Sequence, residues 1–215
     1  MILIAYLAAA YLLGAIPTAI VLGRLFWKTD VRKHGSGNAG ATNAWRVLGW
    51  RAGVPVLLID LGKGAVAAGL IPRLPLGTTP VDPTTLAVLC GVVAVLGHVF
   101  PVYTRFRGGK GVATAAGMLA VVAPVPFGIA AGAFLLLVVA SGIVSLGSVV
   151  GAWMIPLTVL LLPVTLQSRP PALIALAFLL AAFITVTHRS NIARLIRGTE
   201  TSFPKLQLWR RLLRR

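Results

Sequence analysis

The sequence predicts an all-α, polytopic integral membrane protein with about seven transmembrane helices. Hydrophobic residues make up 58% of the 215 residues and charged residues only 11%, whereas a soluble domain carries about 25% charged residues. Apolar runs long enough to span a bilayer recur along the chain, and basic segments separate them. These observations exclude an ordinary soluble domain. We expect a single membrane-integral domain over residues 1–215, with a basic C-terminal extension over about 201–215.

Three long apolar runs predict the first three spans. They cover Ile2–Phe26, Ala52–Ile71 and Thr84–Tyr103. Gly14 and Pro17 interrupt the first run only mildly, and Trp27 and Lys28 follow it, as aromatic and basic residues do at a membrane interface. The first run is predicted to be followed by a polar, glycine-rich loop over Lys28–Arg51, and the second by a proline-rich connection over Arg73–Pro83. A basic, glycine-rich loop over Thr104–Gly111 is predicted to follow the third.

The next apolar stretch, Val112–Ala140, is predicted to be a helical hairpin. As one helix its 29 residues would be about 43 Å long, more than the hydrocarbon thickness of a bilayer. Pro124 and Pro126 near the middle favour a break, with arms over Val112–Ala123 and Phe127–Ala140. Because the first arm is short, a hairpin that only dips into the membrane, giving five crossings in all, is the alternative.

The rest of the chain predicts a small polar turn, two further spans and a basic tail. These segments are Ser141–Ser148, then Val149–Leu166 and Pro171–Thr187, then His188–Arg215. With the N-terminus outside, this topology leaves only Arg73 and Arg169 outside and Lys63 within a helix, and every other Lys and Arg residue is cytoplasmic. The positive-inside rule supports this orientation, which puts the C-terminus in the cytoplasm.

The charge balance indicates anionic partners without identifying them. The net charge is +16, from 20 Lys and Arg residues against four acidic ones. Nucleic acid, anionic lipid and phosphorylated substrates would all suit such an excess. The positive-inside rule accounts for much of it without any partner, so the choice among these depends on the motifs.

Three cytoplasmic segments combine glycines, small polar residues and cations. They are Gly35–Asn43 followed by Arg46, Gly97–Pro101 followed by Phe106–Thr114, and His188–Leu195 followed by Gly198 and Glu200. Glycines let successive backbone N–H groups turn toward a ligand, and helix N-termini add partial positive charge. Hydroxyl, amide and cationic side chains supply further donors. Because phosphate binding needs these features together, three such segments on one face favour an anion site over ordinary turns.

Several polar residues allow two interpretations. Asp60 and Lys63 share one helix face, where a structural ion pair is favoured over a functional pair. His98 is either an interfacial or capping residue, which is favoured, or a base. Glu200 is expected to pair with a nearby arginine, and Ser145 and Ser148 either cap a helix or contact a substrate.

Other kinds of site are not predicted. The three histidines, His34, His98 and His188, are scattered among few carboxylates, so the sequence indicates no metal site. No Ser-His-Asp set is recognisable. Cys90 is the only cysteine, which excludes a disulfide within one chain.

The three segments resemble, in order, the cytoplasmic motifs of the bacterial acyl-phosphate:glycerol-3-phosphate acyltransferase family. The matching stretches are Gly35–Asn43, Gly108–Thr114 and His188–Leu195, and the resemblance extends over essentially the full chain. Arg107 stands where a lysine is expected. The resemblance implies transfer of a fatty acyl group from acyl phosphate to the sn-1 hydroxyl of glycerol 3-phosphate. The products would be lysophosphatidic acid and phosphate, as the first step of bacterial phospholipid synthesis.

The resemblance also implies the setting of the reaction. It predicts a multi-pass protein of the bacterial plasma (inner) membrane, with its active site on the cytoplasmic face. The partners would be acyl phosphate, glycerol 3-phosphate and membrane lipid, without nucleic acid or an obligatory protein partner. No cofactor and no metal are expected. A transporter of a phosphorylated small molecule remains the alternative.

The site residues are implied by the same motif match. Five are expected to be catalytic, namely Ser36, Arg46, Lys110, His188 and Asn191. Substrate and phosphate binding is expected from Gly37, Asn38, Ala39, Gly40, Thr42, Asn43, His98, Gly108, Gly109, Gly111, Thr114, Ser145, Ser148, Arg194 and Glu200. Which loop takes which phosphate stays open, and so does the base, which is His98, His188 or a phosphate oxygen of the substrate.

Overall fold

The computed structural model describes residues 1–161 and 171–203, without the side chains of residues 171–173. Within these residues the protein is helical, as predicted. Its α-helices are α1 (Ile2–Ala15), α2 (Thr18–Trp27), α3 (Ala41–Leu48), α4 (Trp50–Gly69), α5 (Pro83–Val99), α6 (Val112–Val122), α7 (Pro124–Ser141), α8 (Val144–Leu161), α9 (Pro171–Thr187) and α10 (Arg189–Ile196). Three short 3₁₀ turns lie at Val31–Lys33, Ile71–Arg73 and Val102–Thr104.

The first predicted span consists of two helices, because Pro17, which was expected to interrupt the run only mildly, breaks it. α1 ends at Ala15, and α2 begins at Thr18. Pro17 lacks a backbone N–H and disfavours a helical conformation for the residue before it. Ile16 accordingly leaves the helical region, with φ −55° and ψ 115°. The break turns the carbonyl of Ile16 toward side chains of other helices.

The predicted loop over Lys28–Arg51 was wrong in one respect, because it contains the helix α3. Three of its apolar residues recur at helical spacing, and they pack with Val31 and Val56. These residues are Ala41, Ala44 and Leu48. The glycines that suggested a loop lie at the ends of this helix, where Gly40 and Gly49 flank it.

Close approach of α4 and α6 depends on two glycines. A Cβ added to Gly64 would overlap the backbone carbonyl of Thr114, and one added to Gly117 would overlap that of Leu61. Small residues let membrane helices pack backbone against backbone in this way. This contact fixes the N-terminal half of α6, and with it the end of the second predicted loop, against α4.

The predicted hairpin break is confirmed, although it lies earlier than expected. α6 ends at Val122, and α7 begins at Pro124. Both Pro124 and Pro126 therefore lie in the first turn of α7 and not in the connection. Prolines fit there because the first N–H groups of a helix have no intrahelical partner.

Two predicted polar segments are partly helical. The predicted turn Ser141–Ser148 is mostly the first turns of α8, which begins at Val144. The predicted basic tail begins with α10, and the chain bends by 64° between the helical stretches Ile174–Thr187 and Arg189–Ile196. The end of the predicted span Val149–Leu166, from residue 162, and the predicted C-terminal extension from residue 204 onward lie outside the described residues.

The polytopic membrane fold is confirmed. Five helical segments of the described chain are long and apolar enough to cross a membrane, namely Ile2–Trp27, Trp50–Arg73, Pro83–Thr104, Pro124–Ser141 and Val144–Leu161. The bent pair that includes α10 is a sixth if it counts as one span. α6 has 11 residues and is shorter than a span. The number of seven crossings and the orientation of the termini stay predictions.

The chain divides into two compact units, over residues 1–123 and 124–215. In the first unit, α4 packs against α3, α5 and α6, and α1 packs against α5. In the second unit, α8 packs against α7 and α9. The single domain expected over residues 1–215 stays a prediction.

Candidate active site

The first glycine-rich loop is organised around the buried side chain of Asn43. Its Nδ2 donates to the carbonyls of Val31 at 2.8 Å, Asn38 at 3.0 Å and His34 at 3.2 Å. Its Oδ1 accepts from the backbone N–H of Ser36 at 2.9 Å. A carboxamide both donates and accepts, so one side chain can tie together several turns of a loop. A phosphate contact by Asn43, as predicted, would have to compete with these four bonds.

The polar groups predicted around Asn43 lie at or near the surface of the first unit. Ser36 is exposed, and Asn38, Thr42 and Arg46 are partly buried. Gly35 and Gly37 have φ of +60° and +71°, a region that favours glycine. Ala39 is buried and Gly40 immediately precedes α3.

An acidic residue that the sequence analysis did not assign fixes the start of this loop. Asp30 accepts from Arg24 at 2.8 Å and from Arg32 at 2.7 Å, and it also caps the 3₁₀ turn through the N–H of Arg32. The hydrogen bonds from Arg32 hold the pKa of Asp30 well below its usual value. The carboxylate therefore stays charged, and it pairs with one cation of α2, Arg24, and one cation of the loop, Arg32.

The second glycine-rich loop lies against the last turn of α5. The N–H of Gly109 donates to the carbonyl of His98 at 3.1 Å, and that of Gly108 donates to Val99 at 3.2 Å. A Cβ on Gly108 would overlap the carbonyl of His98, and one on Gly109 would overlap its imidazole. A side chain at either position would force His98 or the loop to move, so His98, predicted to bind substrate, forms the surface against which the loop packs.

The loop ends at the N-terminus of α6, where the predicted phosphate site has its clearest geometry. Gly111 precedes the helix with φ +85°, and Lys110 beside it is partly buried. Thr114 lies in the first turn, and its Oγ1 is the one buried side-chain polar atom of the described residues without a hydrogen-bond partner. A helix N-terminus, a lysine and an unsatisfied hydroxyl together form a suitable environment for an anion.

The ion pair predicted within the second span is present. Lys63 Nζ lies 2.9 Å from Asp60 Oδ1, and both side chains are buried. Thr18, which lies in none of the predicted motifs, donates through its hydroxyl to the same carboxylate oxygen at 2.9 Å. The only available signal was a hydroxyl next to the break at Pro17, and that signal does not identify a partner in another helix.

In the second unit, predicted site residues converge on Glu200. Its carboxylate accepts from Ser145 at 2.9 Å and from Asn191 and Arg194 at 2.6 Å each. Burial alone would raise the pKa of Glu200, but these hydrogen bonds together lower it. The predicted pairing of Glu200 with an arginine is confirmed. A negative carboxylate of this kind does not bind phosphate directly, but it orients the donors around it.

The tautomer of His188 follows from its hydrogen bond. Its Nδ1 lies 2.8 Å from the carbonyl oxygen of Ile184, and the side chain is buried. A carbonyl can only accept, so Nδ1 carries the proton. In neutral imidazole, Nε2 is then the acceptor nitrogen.

The two predicted serines of this unit behave differently. Ser145 reaches Glu200, whereas Ser148 donates to the carbonyl of Val144 one turn earlier in α8 at 2.8 Å. The first unit thus carries the two glycine-rich loops, and the second unit carries the cluster around Glu200 and His188. Among the described residues, no group of three or more His, Cys, Asp or Glu side chains could hold a metal ion.

Comparison with known proteins identifies the family. The family model for glycerol-3-phosphate acyltransferase matches residues 4–198. A glycerol-3-phosphate acyltransferase of Chlorobaculum tepidum is 42% identical over 219 aligned residues, which cover 92% of this chain and 94% of that protein.

Solved structures agree with the sequence matches. The crystal structure of PlsY (YgiH), an integral membrane glycerol 3-phosphate acyltransferase, in its glycerol 3-phosphate form has a TM-score of 0.81 at 33% identity, covering 95% of this chain and 96% of that one. Its lysophosphatidic acid form has a TM-score of 0.78 at 31% identity, covering 96% and 98%. The chain therefore belongs to the glycerol-3-phosphate acyltransferase family of integral membrane proteins.

Proposed function

We propose that this protein transfers a fatty acyl group from acyl phosphate to the sn-1 hydroxyl of glycerol 3-phosphate. The hydroxyl oxygen attacks the acyl carbonyl carbon, the bond from that carbon to the phosphate oxygen breaks, and inorganic phosphate leaves. The product is lysophosphatidic acid. Two crystal structures of the similar protein PlsY, in glycerol 3-phosphate and lysophosphatidic acid forms, support this substrate and product.

The observation that carries the proposal is the arrangement in front of α6. In the loop Gly108–Gly111, Gly108 and Gly109 pack directly against His98, Lys110 supplies a full positive charge, and Thr114 supplies an unsatisfied hydroxyl. Backbone amides at the start of a helix add donors that favour negative charge. This arrangement suits a substrate phosphate or the phosphate that leaves, and it stabilises the charge that develops as the acyl–phosphate bond breaks.

The first loop is proposed to bind phosphate through its outer polar groups. Ser36, Asn38, Thr42 and Arg46 have the hydroxyl, amide and guanidinium donors for this role, and Asn43 acts as a positioning residue beneath them. Arg46 can engage a phosphate with two parallel hydrogen bonds. Ser36 and Arg46 are the groups in this loop that we expect to act on the reacting substrates.

Residues of the second unit are proposed to bind and orient the sn-1 hydroxyl of glycerol 3-phosphate. His188, with its proton on Nδ1, offers Nε2 to accept a hydrogen bond from the attacking sn-1 hydroxyl. Glu200 fixes Asn191 and Arg194 and so acts as a positioning residue. His98 is the weaker candidate for this role, because its ring lies between the glycine loop and Asp60. A phosphate oxygen of the substrate is the competing acceptor, and a His188→Gln variant that keeps its activity would favour it.

The activation of the donor explains why a nucleophilic triad is not needed. Acyl phosphate already carries a good leaving group, so orientation of the hydroxyl and stabilisation of the phosphate account for most of the required catalysis. The reaction is proposed to take place on the cytoplasmic face of a bacterial plasma membrane. The excess of basic residues in the predicted cytoplasmic segments supports this side.

The direct test is formation of lysophosphatidic acid by the purified protein from palmitoyl phosphate and labelled glycerol 3-phosphate. We expect product with palmitoyl phosphate and none with palmitoyl-CoA. Lys110→Ala should reduce kcat/KM by at least about a hundredfold, because the charge on the transferred or leaving phosphate loses its cation. The matched control is Lys33→Ala, which removes an exposed lysine of the first loop.

The outcome separates the enzyme from the alternative transporter. Absence of product in a folded parent protein, together with counterflow of glycerol 3-phosphate in proteoliposomes, would replace the proposed reaction with transport. Full activity of Lys110→Ala would remove this lysine from the site while leaving the reaction intact.

A further inference from the structure

A polar cluster buried inside the first unit is not accounted for by the proposed chemistry. Its members are Thr18 of α2, Asp60 and Lys63 of α4, and His98 of α5, and their exposed fractions are 7% or less. These residues all lie in apolar helical segments that are long enough to cross a membrane. Charged groups in such segments are costly, and they usually have a specific structural or functional reason.

The cluster is centred on one carboxylate oxygen. Asp60 Oδ1 lies 2.9 Å from Lys63 Nζ and accepts from Thr18 Oγ1 at 2.9 Å. Lys63 Nζ also donates to the carbonyl of Ile16 at 3.1 Å, which is the group that the break before Pro17 turns out of the helix. Both members of the Asp60–Lys63 pair therefore have a further hydrogen-bond partner, and the carboxylate is held by groups of α2 and α4.

The imidazole of His98 connects this carboxylate to the second glycine-rich loop. Its Nδ1 lies 3.7 Å from Asp60 Oδ1, which is too far for a hydrogen bond but places the carboxylate against this edge of the ring. Its other ring nitrogen occupies the space where Gly109 would carry a side chain. The carbonyls of His98 and Val99 accept from the N–H groups of Gly109 and Gly108.

We propose that Thr18, Asp60 and Lys63 are positioning residues that act through His98 on the glycine-rich loop. The Asp60 carboxylate fixes the position of the His98 ring, and this ring fixes the position of the Gly108–Gly109 backbone. That backbone in turn determines where Lys110 lies. The inference rests on the proposed function, because it assigns the loop a role in binding phosphate. It adds three residues remote from the predicted motifs to the determinants of that reaction.

The test uses variants that keep the shape of the cluster and remove its polarity. Asp60→Asn combined with Lys63→Met removes both charges at similar volume, and Thr18→Val replaces a hydroxyl by a methyl group. We expect the double variant to lower kcat/KM for glycerol 3-phosphate by about tenfold to a hundredfold, since small misplacements of binding groups have effects of this size. Cys90→Ala, on the same helix as His98 and buried, is the matched control.

A coupling measurement distinguishes action through His98 from a general loss of structure. In a His98→Ala background, adding the double substitution should lower kcat/KM by less than about threefold, because residues that act through one another are not additive. His98→Ala should also partly restore the activity of Gly109→Ala, since it removes the atoms that the new Cβ would strike. Additive losses, or no restoration, would overturn the proposal.

A readout without substrate keeps the inference separate from the proposed reaction. Amide hydrogen exchange of the purified parent and of the double variant should show faster exchange at Gly108 and Gly109 in the variant, with α7 and α8 unchanged. If exchange rises but the parent makes no lysophosphatidic acid, the positioning role stands and the proposed reaction fails. Unchanged exchange and kinetics in the double variant would mean that the cluster only joins α2 to α4.

Discussion

Asn43 holds the first loop together because a carboxamide can donate and accept at the same time. Its buried side chain reaches three carbonyls and one N–H group along residues 31–38. Asn43 was expected among the phosphate ligands because it lies in the segment that matches the first motif of the family. The positioning role of Asn43 could not be recognised from the sequence, because its partners are backbone groups whose positions depend on the folded loop.

Replacing Asn43 by Asp tests this positioning role. The acceptor for Ser36 is kept, whereas the donors to three carbonyls are lost and a negative charge faces them. We expect at least about a tenfold loss of kcat/KM, together with lower thermal stability, because buried carbonyls are left unsatisfied. The measurement pairs product formation with a melting curve in detergent.

A control exists in the same loop. His34 contributes only its carbonyl to Asn43, and its side chain is exposed. His34→Ala should therefore leave both activity and melting temperature unchanged. A fully active and stable Asn43→Asp variant would show that the loop does not depend on this side chain.

Helices were predictable wherever apolar residues dominate the chain. α4, α5 and α9 follow the predicted runs closely, whereas α1 and α2 separate at Pro17, where only a mild interruption was expected. α3 and α10 were missed because both are short, amphipathic and surrounded by glycines or charged residues. Each of these residues, considered singly, is typical of a loop. The start of α8 was missed because its serines suggest a turn, although Ser148 satisfies its hydroxyl within the helix.

The packing of α4 on α6 gives a prediction at the scale of elements. Gly64→Ala would drive a Cβ into the backbone carbonyl of Thr114, so the two helices would have to separate. We expect a lower melting temperature and a strong loss of activity, because the start of α6 would move with the helix. Thermal unfolding and product formation of the purified variant measure both effects.

Gly62 provides the matched control on the same helix. A Cβ at Gly62 would meet nothing within 4 Å, and alanine favours a helix more than glycine does. Gly62→Ala should keep its activity, with a melting temperature that is equal or higher. Equal behaviour of the two variants would contradict the close-packing argument.

At the scale of the whole molecule, the sequence predicted the membrane fold and the order of the three motifs. Composition and repeated apolar runs carry that information, because a bilayer constrains every span in the same way. Contacts such as those of Thr18 with Asp60 or Ser145 with Glu200 join residues far apart in the chain. Such contacts depend on helix packing, and a single sequence does not specify it in a recognisable pattern.

The predicted sidedness is tested by cysteine accessibility. In a Cys90→Ala background, single cysteines at Lys33, Arg107 and Arg197, all exposed positions, should react with a membrane-impermeant maleimide only in inside-out vesicles. A cysteine at Arg73, which is also exposed, should react only in intact spheroplasts. Labelling of any of the first three positions from the outer side would contradict a shared cytoplasmic face for the motifs.

The shortness of α6 affects how a lipid and a water-soluble reactant could meet. An 11-residue helix is about 16 Å long, and a hydrocarbon core is about 30 Å thick. If one end of α6 lies at a membrane surface, the other end lies well inside the hydrocarbon layer. If the inner end is the one that begins at Gly111, glycerol 3-phosphate would reach it through a water-filled cavity. The fatty chain of the acyl phosphate could then stay in the lipid layer throughout the reaction.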